Sequence, residues 1–127
     1  MPPIIRKYSQ EGELLLEKRI NYGGLVEKEK VNLKNYKESL NQQTNPSFYY
    51  VINAMRLLNK NLFLMSLYPN KTILELDSSL SVRNIYIDNN RSDYFARDFV
   101  IRKSERGLEF YVLQIIPDNR VDIFGQE

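Results

Sequence analysis

The sequence predicts an all-β fold made of antiparallel meanders, with a small α+β domain as the alternative. The chain of 127 residues has only two alanines, Ala54 and Ala96, against 11 isoleucines, 7 valines, 9 tyrosines and 6 phenylalanines. β-Branched and aromatic residues favour strands, whereas alanine favours helices. Short apolar runs recur along the chain, and turn-forming Asn, Asp, Pro, Ser and Gly residues separate most of them.

The first elements are expected to be two strands at residues 4–8 and 13–20, joined by a turn that contains Gly12. Residues 23–45 follow as a polar insertion or loop. A helix is equally compatible with this insertion, because its apolar side chains recur at i, i+3 and i+7 spacing. The residues with this spacing are Leu33, Tyr36 and Leu40.

The remaining two thirds of the chain alternate between apolar runs and turns. The predicted strands are 62–68, 72–77, 82–87, 108–116 and 120–124. The run from Tyr94 to Ile101 has a similar texture, and the run from Phe48 to Leu58 is compatible with a strand or a buried helix. Apolar side chains within these runs are predicted to form the core. They are Leu15, Leu64, Ile73, Leu76, Ile85, Tyr111, Leu113, Val121 and Ile123.

Three segments of the chain follow a common plan of an apolar strand, a turn and a second apolar strand. They are IIRKYSQEGELLLEKRI, NLFLMSLYPNKTILELDSSL and LEFYVLQIIPDNRVDIFGQE. In this pattern the chain resembles six-bladed β-propellers of the NHL-like type, and it would supply about two blades. The resemblance implies that residues 1–127 are either a single domain or a fragment of a longer propeller.

The resemblance also implies a function, and it leaves two alternatives open. The first is a non-enzymatic binding or interaction module of the propeller type. The second is a fragment of a propeller hydrolase or lactonase that uses a divalent cation held by oxygen ligands, with Asn53, Asp98 and Asn119 as the polar candidates. The sequence predicts no catalytic residue and no cofactor.

Composition excludes several classes of chemistry. Without cysteine or histidine, the chain has no thiolate or imidazole for nucleophilic catalysis or for zinc binding. The net charge of +2 disfavours a dedicated nucleic-acid-binding domain. No apolar run is long enough to cross a membrane. The chain as given therefore suggests a cytoplasmic protein, unless the native chain starts upstream.

A candidate interaction surface is predicted where aromatic and basic residues lie together. Tyrosine and arginine are enriched at protein interfaces. The candidate residues are Tyr49, Tyr50, Tyr94, Arg97 and Arg102. Strict alternation along the strand would place Arg97 and Phe99 on one face. The expected partner is a protein or a small ligand.

The chain is also expected to form a homo-oligomer. The first and last predicted strands are short and mostly apolar, and an unpaired strand edge invites pairing with another chain. We therefore expect copies to join edge to edge through these two strands, in a ring of three that would contain about six blades.

Overall fold

The computed structural model describes residues 3–45, 52–67, 71–88, 96–114 and 119–125. The chain divides into two compact units, Met1–Val51 and Ile52–Glu127. In the described part of the chain, strands and one helix form the regular structure. The predicted mostly β, antiparallel fold is confirmed. The propeller resemblance and the assignment of residues 1–127 to a single domain or a fragment stay predictions.

The first unit begins with a β-hairpin of β1 (Ile4–Tyr8) and β2 (Leu14–Arg19). Arg6 lies opposite Glu17 in the antiparallel register, and Arg6 Nε lies 2.6 Å from Glu17 Oε2. The connecting turn places Gly12 at a φ of 87°, a value that glycine adopts without steric cost. Both strands predicted for this segment are confirmed.

Helix α1 (Gly23–Gln42) completes the first unit. It ends at Gln43, which has a left-handed φ of 53° and whose backbone N–H donates to the carbonyl of Ser39. The loop alternative for residues 23–45 is therefore wrong over most of its length. Its polar residues form a helix because a solvated helix face tolerates them. The stripe of Leu33, Tyr36 and Leu40 is exposed on this helix.

The second unit contains a four-stranded antiparallel meander in the order β3-β4-β5-β6. A two-residue turn joins β3 to β4, and both its residues, Asn59 and Lys60, have positive φ, as a type I′ hairpin requires. The predicted strands 62–68, 72–77 and 82–87 are confirmed as β4 (Asn61–Ser66), β5 (Lys71–Leu76) and β6 (Val82–Asp88), and residue 68 lies outside the described residues. In the run from Phe48 to Leu58, left open between a strand and a buried helix, the described part forms β3 (Ala54–Leu58).

A three-stranded antiparallel sheet follows in the same unit, in the order β7-β8-β9. Its strands are β7 (Ala96–Ser104), β8 (Gly107–Gln114) and β9 (Arg120–Gly125). Arg56 on β3 links the two sheets, because its Nε donates a 3.0 Å hydrogen bond to the carbonyl of Phe99. The Arg56 guanidinium also pairs with the carboxylate of Asp98.

One hydrophobic core is shared by the two sheets of the second unit, and Phe110 lies at its centre. The Phe110 ring centroid is 4.7 Å from that of Tyr86 and 5.3 Å from that of Phe124. Phe63 and Phe99 contact the same ring at 6.0 and 6.4 Å. Tilted aromatic pairs at these distances add to the stabilisation that burial provides.

The core predicted from the sequence is correct on β4 and β5 and wrong on the later strands. Leu64, Ile73 and Leu76 are buried as expected. Five others are exposed and Tyr111 is half-buried, so these predictions are wrong. The five are Leu15, Ile85, Leu113, Val121 and Ile123. On β8 the core side chains are Phe110 and Val112, and a shift of one residue exchanges the two faces of a strand.

A bulge near the start of β7 breaks its expected alternation. Ala96 pairs with Gln114 and Asp98 pairs with Leu113, so Arg97 is an extra residue in the ladder. Ala96 and Phe99 are consequently both buried, although they are three positions apart. Arg97 is exposed, so it does not share a face with Phe99 as strict alternation along the strand would require.

Candidate interaction surface

The outer face of the three-stranded sheet carries a continuous apolar surface. Val100 pairs with Tyr111, which pairs with Ile123, and these three residues form one row across the sheet. In the neighbouring row Leu113 pairs with Val121. We call these five residues, Val100, Tyr111, Leu113, Val121 and Ile123, the platform.

The platform is accessible to solvent although most of it is aliphatic. Val100 is 61% exposed and Ile123 is 59% exposed. β-Branched residues stabilise the strand conformation on either face, so this composition still folds as a sheet. Alternate residues of the same strands, including Phe99 and Val112, pack in the core behind it. A contiguous exposed apolar patch of this kind is typical of an interaction site.

Polar side chains border the platform at one end. Tyr111 Oη donates a 3.0 Å hydrogen bond to Glu109 Oε2 and accepts one of 3.4 Å from Arg102 Nη1. Arg102 and Glu109 pair across β7 and β8 in the row next to Val100. This network holds the tyrosine ring against the sheet and orders the border of the platform.

The predicted interaction residues are only partly placed by the structure. Arg102 borders the platform, while Arg97 lies at the bulge of β7, and both side chains are exposed. The other three predicted residues, Tyr49, Tyr50 and Tyr94, lie outside the described residues. The structure therefore does not unite the five predicted residues in one surface.

Sequence reasoning missed the platform because it assigned four of its five side chains, all but Val100, to the core. A signal for the correct register was available in the phenylalanines. Phe110 and Phe124 are directly paired, and Phe99 pairs with Val112. Placing phenylalanine rather than tyrosine in the core would have turned Tyr111 and Ile123 outward.

A polar cluster lies on the inner face, at the end where β5 begins. Lys71 is only 2% exposed, and its Nζ lies 3.4 Å from Asp88 Oδ2 and 3.2 Å from Asp122 Oδ2. Arg120 Nε contacts Asp122 Oδ1 at 3.1 Å. Burial alone would raise the pKa of Asp122, but its hydrogen bond to Lys71, with a smaller contribution from Arg120, holds it below the usual value. The two aspartates compensate the buried lysine charge, which is a structural role.

Glu75 is a second buried carboxylate. The hydrogen-bond donors that contact it in the described part of the chain are all neutral. Glu75 accepts hydrogen bonds from Tyr86 Oη at 2.6 Å, Asn61 Nδ2 at 2.6 Å and Asn84 Nδ2 at 3.2 Å. Burial would raise the pKa of Glu75, but these three hydrogen bonds together keep it below its usual value. Burial and the bond to Glu75 raise the pKa of Tyr86, so its hydroxyl remains a donor.

The residues proposed as cation ligands do not form a cluster of carboxylates. Asp98 binds Arg56. The backbone N–H of Asn53 donates to the carbonyl of Met65 at 2.8 Å, while its side-chain Oδ1 is buried and, among the residues that the structure describes, has no hydrogen-bond partner and no carboxylate cluster around it. Asn119 is exposed. Across the described ranges, no group of three or more acidic, histidine or cysteine residues is placed to hold a metal ion.

Comparison with known proteins finds no match to a protein family, to a curated protein or to a solved structure. Within the part of the chain that the structure describes, no helix has the length and apolar character needed to span a membrane. The site must therefore be interpreted from its own geometry.

Proposed function

We propose that this chain is a non-enzymatic interaction module that binds another protein surface through the platform. The observation that supports this proposal most directly is the exposed apolar face of the three-stranded sheet. Val100, Tyr111 and Ile123 form one row of this face, and Leu113 and Val121 form the next. Burying apolar area contributes about 25 cal/mol per Å², so covering such a face favours association.

The anatomy of the surface supports this proposal. A protein interface commonly has an apolar centre and a polar border, with tyrosine and arginine enriched. Here Tyr111 lies in the platform, and Arg102 and Glu109 border it. The aromatic core behind the sheet holds the platform rigid, which lowers the entropy lost on binding.

The resemblance to propeller proteins supports the same class of function, since a propeller commonly serves as a binding scaffold. The four-stranded meander β3–β6 has the strand number of one propeller blade. The proposal does not depend on this resemblance, because the platform is defined by the register and exposure of its own residues.

Site-specific photo-crosslinking tests the proposal. A photoreactive phenylalanine analogue is placed at Val100 in one variant and at Leu57 in a matched control variant. Leu57 is 74% exposed on β3 of the other sheet and Val100 is 61% exposed, so both probes are accessible to solvent. Irradiation is carried out in a cell extract and with the purified chain.

We expect a discrete adduct from position 100 that position 57 does not give. The adduct should disappear when Leu113→Lys is added, because a charge in the platform must be desolvated on binding. Equal labelling from positions 57 and 100, or an adduct that survives Leu113→Lys, would contradict the platform as a binding surface.

A further inference from the structure

We propose that the platform binds a second copy of this chain, in a face-to-face dimer with twofold symmetry. This inference rests on the proposed function, because it names the partner of the same surface. An antiparallel sheet face packs well on another one, with side chains interdigitating between two sheets about 10 Å apart. The same patch then serves both copies, as twofold symmetry requires.

The charges of β7 determine which dimer fits. Asp98 and Arg102 lie on either side of Val100, two residues before and two residues after it on the same outer face. Asp98 pairs with Arg56 within its own chain, and its side chain is still 43% exposed. The platform therefore has opposite charges at the two ends of its β7 border.

A twofold axis that crosses the strands at the row of Val100, Tyr111 and Ile123 makes this arrangement self-complementary. Rotation about this axis exchanges the rows on either side of the central row. Arg102 of each copy therefore lies over Asp98 of the other. The apolar row packs on itself in the centre. Opposite charges at matched positions favour this register and disfavour others.

The other symmetric arrangement, with the axis parallel to the strands, fits less well. It would place β7 over β9 of the second copy, so Asp98 would face Val121 and Arg102 would face Gly125. Asp98 and Arg102 would then lose water without gaining a partner, and Glu109 would face Glu109 of the other copy, whereas the first arrangement places Glu109 over Leu113. The charge pattern thus favours the first arrangement, in which β7 of one copy lies over β7 of the other.

This interface differs from the edge-to-edge ring expected from the sequence. The edge strand β9 carries Arg120 and Asp122, which contact each other within the chain at 3.1 Å. Charged side chains on an edge strand protect it from pairing with other strands. The apolar face is therefore the better surface for self-association.

The size of the face predicts a weak dimer. A standard protein interface buries about 800 Å² on each partner, and three short strands offer less than that. We therefore expect the dimer to dissociate on dilution, with a dissociation constant in the micromolar range, on the order of 1–100 μM.

Sedimentation velocity over a wide concentration range tests the dimer with the purified full chain. The weight-average mass should rise from 15.1 kDa toward twice that value as concentration increases. Ile123→Lys should remain a monomer throughout the range. The matched control Leu57→Lys should associate like the wild type, since Leu57 lies on a different sheet.

Arg102→Glu provides a second variant, which keeps all five platform side chains and reverses one charge at their border. It places a carboxylate opposite Asp98 of the other copy, and we expect the dissociation constant to rise about tenfold or more. Circular dichroism confirms that each variant is folded before it is compared.

A wild-type chain that stays monomeric at every concentration would overturn the dimer, as would a dimer unaffected by Ile123→Lys or by Arg102→Glu. Failure of the dimer is distinguishable from failure of the proposed function. A monomeric chain whose position 100 still crosslinks to a different protein would reject the second copy as partner and retain the interaction module.

Discussion

Tyr86 donates a 2.6 Å hydrogen bond from its hydroxyl to the buried carboxylate of Glu75, in the same core where its ring lies 4.7 Å from that of Phe110. One side chain thus contributes both to the aromatic core and to the neutral hydrogen-bond network around a buried charge. This relationship shows how the second unit stabilises a buried carboxylate through neutral hydrogen-bond donors.

Tyr86→Phe should destabilise the chain by about 1–3 kcal/mol, because it removes a hydrogen bond to a buried charged group and retains the ring. The matched control is Tyr111→Phe, whose hydroxyl also bonds a carboxylate, at 3.0 Å, but on the outer face. We expect the control to lose less than about 1 kcal/mol. Urea unfolding of both variants measures the difference, and equal losses would contradict the burial of this network.

Lys71→Met should cost about 3–5 kcal/mol, because it leaves Asp88 and Asp122 beside a buried position without the lysine cation. The pKa of Asp122 is lowered in the folded chain, so its contribution is present above an unfolded carboxyl pKa of about 4 and is lost as pH falls through the folded value. The gap in unfolding free energy between wild type and Lys71→Met should therefore narrow below about pH 4. A gap that is independent of pH would show that the lysine stabilises by packing alone.

Phe110→Ala and Ile123→Ala distinguish the observed strand register from its one-residue alternative. Truncating the buried Phe110 should cost about 3–5 kcal/mol, whereas truncating Ile123, with its exposed side chain, should cost under about 1 kcal/mol. Chemical unfolding is measured at low protein concentration, so that self-association does not contribute. Reversed magnitudes would mean that Tyr111 and Ile123 face the core.

Lys28 gives the first unit a pH dependence in the alkaline range. Its side chain is buried, and desolvation lowers its pKa from 10.5 to about 8. Since the unfolded chain holds this proton up to the higher pKa, stability should rise between pH 8 and pH 10.5, by up to about 3 kcal/mol. Thermal unfolding across this range should show the rise in the wild type and in Lys30→Met, whose side chain is exposed, but not in Lys28→Met. If the rise in stability persists in Lys28→Met, titratable groups other than Lys28 must cause it.

The strands were predictable from local signals, whereas their faces were not. Turn residues such as Gly12 and Asn59 mark the ends of strands directly in the sequence. In the run from Leu108 to Gln114, however, apolar residues occupy both faces, so alternation does not identify the core. The bulge at Arg97 adds a residue that no periodic pattern contains.

The candidate site was predictable only at its border, through Arg102. Four of the five platform residues are aliphatic and chemically indistinguishable from core residues until the register is known. The preference for phenylalanine over tyrosine in the core was the signal that the sequence offered. The pairing of Phe110 with Phe124 fixes that register, and it is a contact between strands rather than a property of either one. The partners of Glu75 come from two strands, β4 and β6, on either side of its own strand β5, so their convergence also requires the folded sheet.

The most direct test of the central claim measures whether the platform becomes covered by protein. Methyl NMR with a soluble paramagnetic probe reports the accessibility of Val100 and Ile123, with Leu57 as the exposed reference. We predict that the probe broadens all three signals in dilute solution. As the protein concentration rises, or when a partner protein identified by crosslinking is added, the methyl signals of Val100 and Ile123 should become protected from the probe. The Leu57 signal should stay broadened. Platform methyl groups that remain as accessible as Leu57 under all of these conditions would contradict the account.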